Sequence, residues 1–288
     1  MATVRLLAPA KVNLFLHVGP GGTDGYHPLA SLVAFAGIGD DVTVQPAGRL
    51  SLTVTGPFGQ GLGAGDDNLI LKALRALGEV TGAADPPVAV TLDKQLPIAA
   101  GLGGGSSDAG AALKGARDAL GLSLDDEALA DIAAGVGADG PMCLHARAAW
   151  AEDRGDRLTF EPRLPPLPAV LINPGVPSST GAVYRRYDEG PAGTADRPAP
   201  PGDWGLSSVI DWLSARRNDL ETPAIALEPV IGQTLKEAAR LPGVRLVRMS
   251  GSGATVFALF DTAEQAVEAA RRLARSHPGW WVRSTILR

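Results

Sequence analysis

Along residues 11–18 the side chains alternate, with Val12, Leu14, Leu16 and Val18 on one face and Lys11, Asn13, Phe15 and His17 on the other. A period of two predicts a strand, and it aims the polar ends of Lys11 and Asn13 into the same space. Residues 19–25 are glycine-rich and read as a turn, followed by Tyr26-His27-Pro28. Further short strands are predicted over 42–44 and 50–55, and Asp66-Asp67 opens a helix over 68–77 that Gly78 ends. Val88, Val90 and Leu92 alternate in a strand that feeds a glycine run. Behind that run Ala109, Ala112, Leu113, Ala116 and Leu120 recur at helical spacing until Gly121.

The second half carries the same two periods. Ser123-Leu-Asp-Asp126 resembles a capping box for a helix that runs through Ile132 and stops at Gly135, and 137–141 reads as a tight connection. Pro162, Pro165, Pro166 and Pro168 mark a domain junction. Residues 169–172 read as a strand, and 192–205, rich in Pro, Gly and Asp, as an exposed loop. Strand, glycine turn and strand follow over 246–249, 250–253 and 254–260. A helix opens at Thr262-Ala-Glu-Gln265 and runs to about 274, and 281–287 closes the sheet.

Residues 97 to 108 concentrate the candidate chemistry: Pro97, Ile98, Ala99, Ala100, Gly101, Leu102, Gly103, Gly104, Gly105, Ser106, Ser107, Asp108. Glycines let backbone N–H groups approach a ligand, and the Ser-Ser-Asp that follows predicts a helix cap. Between a strand and a helix, such a loop presents N–H donors and a positive helix end to an anion, most naturally phosphate. It is not a Walker A loop, because no Gly-Lys-Ser/Thr closes it, and it lacks the last glycine of a dinucleotide fingerprint.

Composition narrows the partners. The 288 residues allow two domains, and 45% hydrophobic with 20% charged residues is ordinary for a soluble protein. No apolar run has the length of a membrane span and the start lacks a signal-peptide layout, so no membrane partner is expected. A net charge of −5 argues against nucleic acid, and Arg271, Arg272 and Arg275 read as a solvated helix face. One cysteine, Cys143, fits a reducing, cytoplasmic compartment, and four scattered histidines offer no zinc spacing.

Three separated segments carry a resemblance. They are Pro9-Ala-Lys11-Val-Asn13-Leu-Phe-Leu16 followed by Asp24-Gly-Tyr26-His27, then Leu96 through Ser107, then Ser250-Gly-Ser252-Gly253-Ala254; Gly137-Ala-Asp139 and Asn173-Pro-Gly-Val176 lie between. In these the chain resembles the GHMP small-molecule kinases. The resemblance implies an α+β, two-domain GHMP kinase fold, with a ribosomal-protein-S5-domain-2-like N-terminal part and a ferredoxin-like C-terminal part. It implies an ATP-binding domain over 1–165 and a second domain over 166–288, with the active-site cleft between them.

It also implies an enzyme that moves the γ-phosphoryl group of ATP, with Mg2+, to a hydroxyl of a small cytidine diphosphate-linked polyol. By resemblance Asp139 is the catalytic carboxylate, and Lys11 keeps it ionised and stabilises charge on the moving group. Pro97 and Gly101 through Ser107 hold the ATP phosphates, with Ser106 or Ser107 toward Mg2+; no acidic metal ligand is evident, so phosphates and water hold the ion. Asn68, Leu69 and Lys94 fall in the adenosine pocket, although Lys94 also reads as a surface lysine. Asn13 positions substrate, Tyr26 and Tyr184 stack on cytosine, His27 reads its edge, and Thr180 contacts the sugar alcohol. Ser250 to Gly253 shapes the far side of the cleft or is a plain hairpin turn. A monomer or weak homodimer is expected.

Two other readings share part of the pattern. A GHMP kinase for homoserine or mevalonate would share the glycine loop but leaves Gly25-Tyr26-His27 together with Lys11-x-Asn13 unexplained. A non-catalytic binding module is disfavoured by the acidic balance and by the presence of both Lys11 and Asp139.

Overall fold

The computed structural model describes residues 2–23, 25–63, 65 and 67–288. Asp24 of the Gly-Tyr-His segment and Asp66 of the predicted helix start lie outside them. The chain forms two compact units that interleave along the sequence. One comprises Met1–Lys11, Ile38–Ile98 and Gly103–Ala146; the other comprises Val12–Gly37, Ala99–Leu102 and Arg147–Arg288. Strands β1 (Val4–Val18) and β2 (Leu29–Pro46) contribute residues to both.

In the first unit β3 (Ser51–Thr55) lies parallel to β4 (Val88–Asp93), and β4 pairs antiparallel with β2 from Asp41↔Asp93 to Pro46↔Val88. Helices α1 (Leu69–Thr81), α2 (Gly104–Leu120), α3 (Asp126–Val136) and α4 (Gly140–His145) belong to this unit. Val42, Val44 and Leu92 meet Leu74, Leu77, Leu113 and Leu129, all fully buried. Each such side chain contributes about 1.5–3 kcal/mol relative to exposure.

Helix boundaries depart from the sequence reading for local reasons. Asn68 caps α1, which runs through Gly78 to a left-handed Gly82. Gly78 serves close packing instead of termination, since a Cβ there would lie 2.4 Å from the Ala83 carbonyl oxygen. α2 starts at Gly104, so Ser106, Ser107 and Asp108 fall inside its first turns and do not cap it. The cap of α3 is Asp125, whose carboxylate accepts the Ala128 N–H at 2.8 Å, not Ser123, and α3 continues past Gly135. α4 grows out of the segment read as a tight connection, with Pro141 pre-set for its first turn.

The second unit is an antiparallel sheet. Its strands are β5 (Ala149–Asp153), β6 (Arg157–Phe160), β7 (Leu167–Asn173), β8 (Val244–Met249), β9 (Val256–Phe260) and β10 (Trp281–Leu287), joined by the first part of β2. Their order is β6-β5-β2-β10-β7-β9-β8. Helices α5 (Thr180–Asp188), α6 (Leu206–Ser214), α7 (Glu221–Leu227), α8 (Pro229–Ala239) and α9 (Ala263–Ser276) complete it. Val170, Ile172, Val256 and Phe260 pack with Ile231 of α8 and Leu273 of α9. Thr262 and Gln265, in the segment read as a helix opening, form a capping box at the start of α9. No helix among the described residues is long and apolar enough to cross a membrane.

Candidate active site

In the first unit β4 delivers the chain toward the glycine run, and Gly103 turns it into α2. Gly103 has φ +61°, and a Cβ on it would lie 3.1 Å from Lys11 Cε and 3.3 Å from Cys143 Sγ. Only glycine takes this backbone without strain, and only glycine admits the lysine stem above it. The N–H groups of the first turn of α2 have no partner within the helix, and the helix dipole adds positive potential there. Lys11, buried with its stem over Gly103, extends its ammonium to within 3.2 Å of Asp139 Oδ2. The Asp139 carboxylate, just before α4, is 38% exposed and open to a further partner. Helix end, ammonium and carboxylate thus share one corner of this unit.

Ser107 lies one turn into α2. Its hydroxyl is buried near the Cys143 thiol and has no hydrogen-bond partner of ordinary geometry. Burial pushes that thiol up to about 12, helped by the negative charge of Asp139, so Cys143 is an inert neutral neighbour. Pro97 is buried, Gly105 is exposed, and the Leu69 side chain lies 3.2 Å from where a Gly105 Cβ would be. Asn68 is spent on capping: its Oδ1 accepts the Ile70 N–H at 2.9 Å and its Nδ2 donates to the Gly63 carbonyl at 3.0 Å. Leu69, Ser106, Ala109, Ala133 and Val136 line a small, mainly apolar recess beside this helix start.

Lys94 is not the surface lysine that its sequence also allowed. It is 2% exposed, and its Nζ donates to Asp40 at 2.5 Å and to Asp108 at 2.7 Å. Burial opposes the ammonium charge, but the two carboxylates outweigh it and raise the lysine above its ordinary value. Its Nζ lies 3.0 Å from the position of a Gly104 Cβ, so the side chain supports the loop from beneath. Asp40 and Asp108 were invisible to sequence reasoning, because positions 54 and 14 residues from Lys94 leave no local pattern.

In the second unit the short piece Ala99–Leu102 is clasped by the Ser250–Gly253 turn and its neighbours. Ser178 N–H donates to the Ala99 carbonyl, Thr255 N–H to the Ala100 carbonyl, and Ser250 Oγ to the Gly101 carbonyl at 2.9 Å. Gly101 has φ +73°, and a Cβ would lie 2.3 Å from the Ser250 carbonyl oxygen. Leu102 is buried. Asn13 donates its backbone N–H to Ser250 Oγ and its Nδ2 to Ser31 Oγ at 2.9 Å.

Farther along, His27 Nε2 meets Asp188 Oδ1 at 2.6 Å and its ring lies 4.8 Å from that of Tyr184. Tyr26, 52% exposed, carries the Arg154 guanidinium 4.2 Å from its ring centre. Thr180 and Ser252 share a hydroxyl–hydroxyl bond of 2.8 Å. Among the described residues no group of three or more His, Cys, Asp or Glu is arranged to hold a metal ion.

The phosphate-type helix start with its lysine–aspartate pair defines a class, and comparison with known proteins agrees. The GHMP kinases N terminal domain matches residues 68–147 and the GHMP kinases C terminal domain matches 206–279. The 4-diphosphocytidyl-2-C-methyl-D-erythritol kinase of Caulobacter vibrioides is 54% identical over 96% of each chain. The one from Dinoroseobacter shibae is 50% identical over 98% of this chain and 94% of its own. A crystal structure of 4-(cytidine 5'-diphospho)-2C-methyl-D-erythritol kinase superposes with a TM-score of 0.78 at 33% identity, covering 99% of both chains. Homoserine kinase from Cytophaga hutchinsonii, at 18% identity and a TM-score of 0.67 over 99% of this chain and 95% of its own, shares the fold.

The chain belongs to the GHMP kinases: it is an α+β small-molecule kinase. Within them it falls in the family of 4-diphosphocytidyl-2-C-methyl-D-erythritol kinases.

Proposed function

We propose that this kinase transfers the γ-phosphoryl group of ATP to the 2-hydroxyl of 4-diphosphocytidyl-2-C-methyl-D-erythritol. The products are the 2-phosphate and ADP, in the non-mevalonate route to isoprenoid precursors. The observation that carries the chemistry is the Lys11–Asp139 pair at 3.2 Å beside left-handed Gly103 and the start of α2. Phosphoryl transfer needs positioning, cationic charge and a carboxylate, and these residue types supply all three.

In this reading the N–H groups of Gly103, Gly104 and Gly105, with the hydroxyls of Ser106 and Ser107, hold the phosphates. Asp139 orients the 2-hydroxyl and accepts its proton as the new O–P bond forms and the bond to the ADP oxygen breaks. Lys11 holds the Asp139 carboxylate in place and offsets charge on the transferring oxygens. The unpartnered Ser107 hydroxyl and the glycine cradle fit a triphosphate with its Mg2+. When bound, that ion supplies charge neutralisation, held mostly by phosphate and water oxygens. Asn68 and Leu69 flank the adenosine, while Lys94 supports the loop. Asn13 and Thr180 hold the polyol; Tyr26, Tyr184 and His27 hold the cytosine.

A division into domains at 165/166 is part of this reading, supported by family matches on either side of it. So are a cytoplasmic location and a monomer or weak homodimer. ADP release, followed with the cytidyl substrate beside homoserine and mevalonate, tests the whole. Turnover is expected with the cytidyl compound alone. Turnover of mevalonate with none of the cytidyl compound overturns the reading.

A further inference from the structure

Asp188, the last residue of α5, grips the His27 ring at Nε2 from 2.6 Å. The ring is nearly enclosed, its side chain 8% exposed, whereas the carboxylate is 49% exposed. Tyr184 lies against it at 4.8 Å and Tyr187 approaches edge-on at 5.8 Å. At Gly21 a Cβ would come within 3.1 Å of Nε2, so the missing side chain leaves that edge to Asp188. A neutral imidazole has one N–H and one lone pair, and a carboxylate only accepts. In the neutral ring the contact therefore puts the proton on Nε2 and leaves Nδ1 as an acceptor.

We propose that Asp188 is a positioning residue that sets nucleobase specificity: by fixing this tautomer it makes His27 Nδ1 accept from an exocyclic amine and reject a carbonyl. The proposal rests on the reading that His27 faces the cytosine edge. Cytosine and uracil have nearly the same shape, but cytosine carries an amine where uracil carries a carbonyl. Against Nδ1 the amine makes a hydrogen bond, and the carbonyl sets lone pair against lone pair with both groups unsatisfied. Packing alone separates such isosteres poorly, whereas a site built to bond an N–H separates them strongly. Asparagine at 188 would break the control, because its amide offers Nε2 either an oxygen or an N–H and so permits both tautomers.

The experiment compares the wild-type chain with Asp188→Asn and Asp188→Glu. Nitrogen-15 NMR of the histidine rings in the free protein reads the tautomer, and kinetics read kcat/KM for the cytidyl substrate over its uridyl analogue. The expected results are an Nε2–H tautomer for wild-type His27 and a cytidyl preference lowered about ten- to a hundredfold in Asp188→Asn. The loss should fall on KM for the cytidyl substrate, with KM for ATP and Tm unchanged, and Asp188→Glu should restore part of the preference. An unchanged preference in folded Asp188→Asn, or an Nδ1–H tautomer in the wild type, overturns the proposal. A wild type that ignores the cytidyl compound overturns the kinase reading and the specificity claim together, while the NMR still reports the tautomer.

Discussion

Lys94 Nζ lies 2.7 Å from Asp108 Oδ2, and the same ammonium also serves Asp40, so two buried carboxylates share one cation. They are not equivalent. Asp40 also accepts the N–H groups of Gln95 at 2.6 Å and Leu96 at 2.8 Å, whereas Asp108 Oδ1 has no partner. Asp108 is therefore the carboxyl that keeps its proton longer. Burial pushes it up to about 7, with Lys94 opposing and the charge of Asp40 adding. This cluster ties β2, the approach to the glycine run and α2 together under the loop.

That asymmetry predicts a pH dependence of stability. In the unfolded chain an aspartate ionises near about 3.9. Between about pH 4 and the folded value of about 7 the native state holds a proton that the unfolded state has released. The contribution of Asp108 is then fully present below about pH 4 and falls as pH rises, by at most about 1.4 kcal/mol per unit. Asp108→Asn keeps an acceptor for Lys94 and cannot titrate. Calorimetry should show the wild type losing Tm relative to Asp108→Asn between about pH 4 and about pH 7. Parallel curves would assign the proton elsewhere.

How much of this was legible depends on the range of the interaction. The alternation at Val88, Val90 and Leu92 and the apolar spacing from Ala109 to Leu120 place β4 and α2, because each period is local and repeats. The start of α2 is masked in the sequence, since Ser106-Ser107-Asp108 looks like a cap while the left-handed turn at Gly103 begins the helix earlier. Helices α5 to α8 left little signal, being seven to eleven residues long, too short for several repeats. For the candidate site, the motifs gave Lys11, Asp139 and the glycines. They could not give Asp40, Asp108 or Asp188, whose roles come from partners far away in sequence or from the turn that a helix end makes.

Asp139→Asn removes a base without adding bulk. Turnover should fall by about 10²–10⁴-fold, while affinity for ATP stays within about twofold, measured by single-turnover kinetics and nucleotide titration. Near-normal turnover would remove Asp139 from the chemistry.

Gly103 and Gly121 form a matched pair at the two ends of α2, both left-handed at φ +61° and +69°. A Cβ at Gly103 meets Lys11 and Cys143, whereas at Gly121 it meets nothing within 4 Å. Alanine at either position should cost about 1–2 kcal/mol of stability through backbone strain. Only Gly103→Ala should also raise KM for ATP, because only there does the added methyl disturb the lysine and the loop. Equal effects on ATP from both variants would mean that helix stability alone is being read.

Ser107→Ala separates a structural hydroxyl from a ligand-binding one. A buried hydroxyl with no partner costs about 1–3 kcal/mol of desolvation, and the Ser107 Oγ atom is in that position. Alanine removes the unsatisfied group and leaves only a small void, so Tm should hold or rise. If the hydroxyl meets phosphate or its metal ion during turnover, the same change should lower kcat/KM for ATP about tenfold. A structural bond to the neighbouring Cys143 thiol would give the opposite pattern, with Tm falling and ATP kinetics unchanged. Greater stability with weaker ATP use is the combination that an anion-binding hydroxyl predicts.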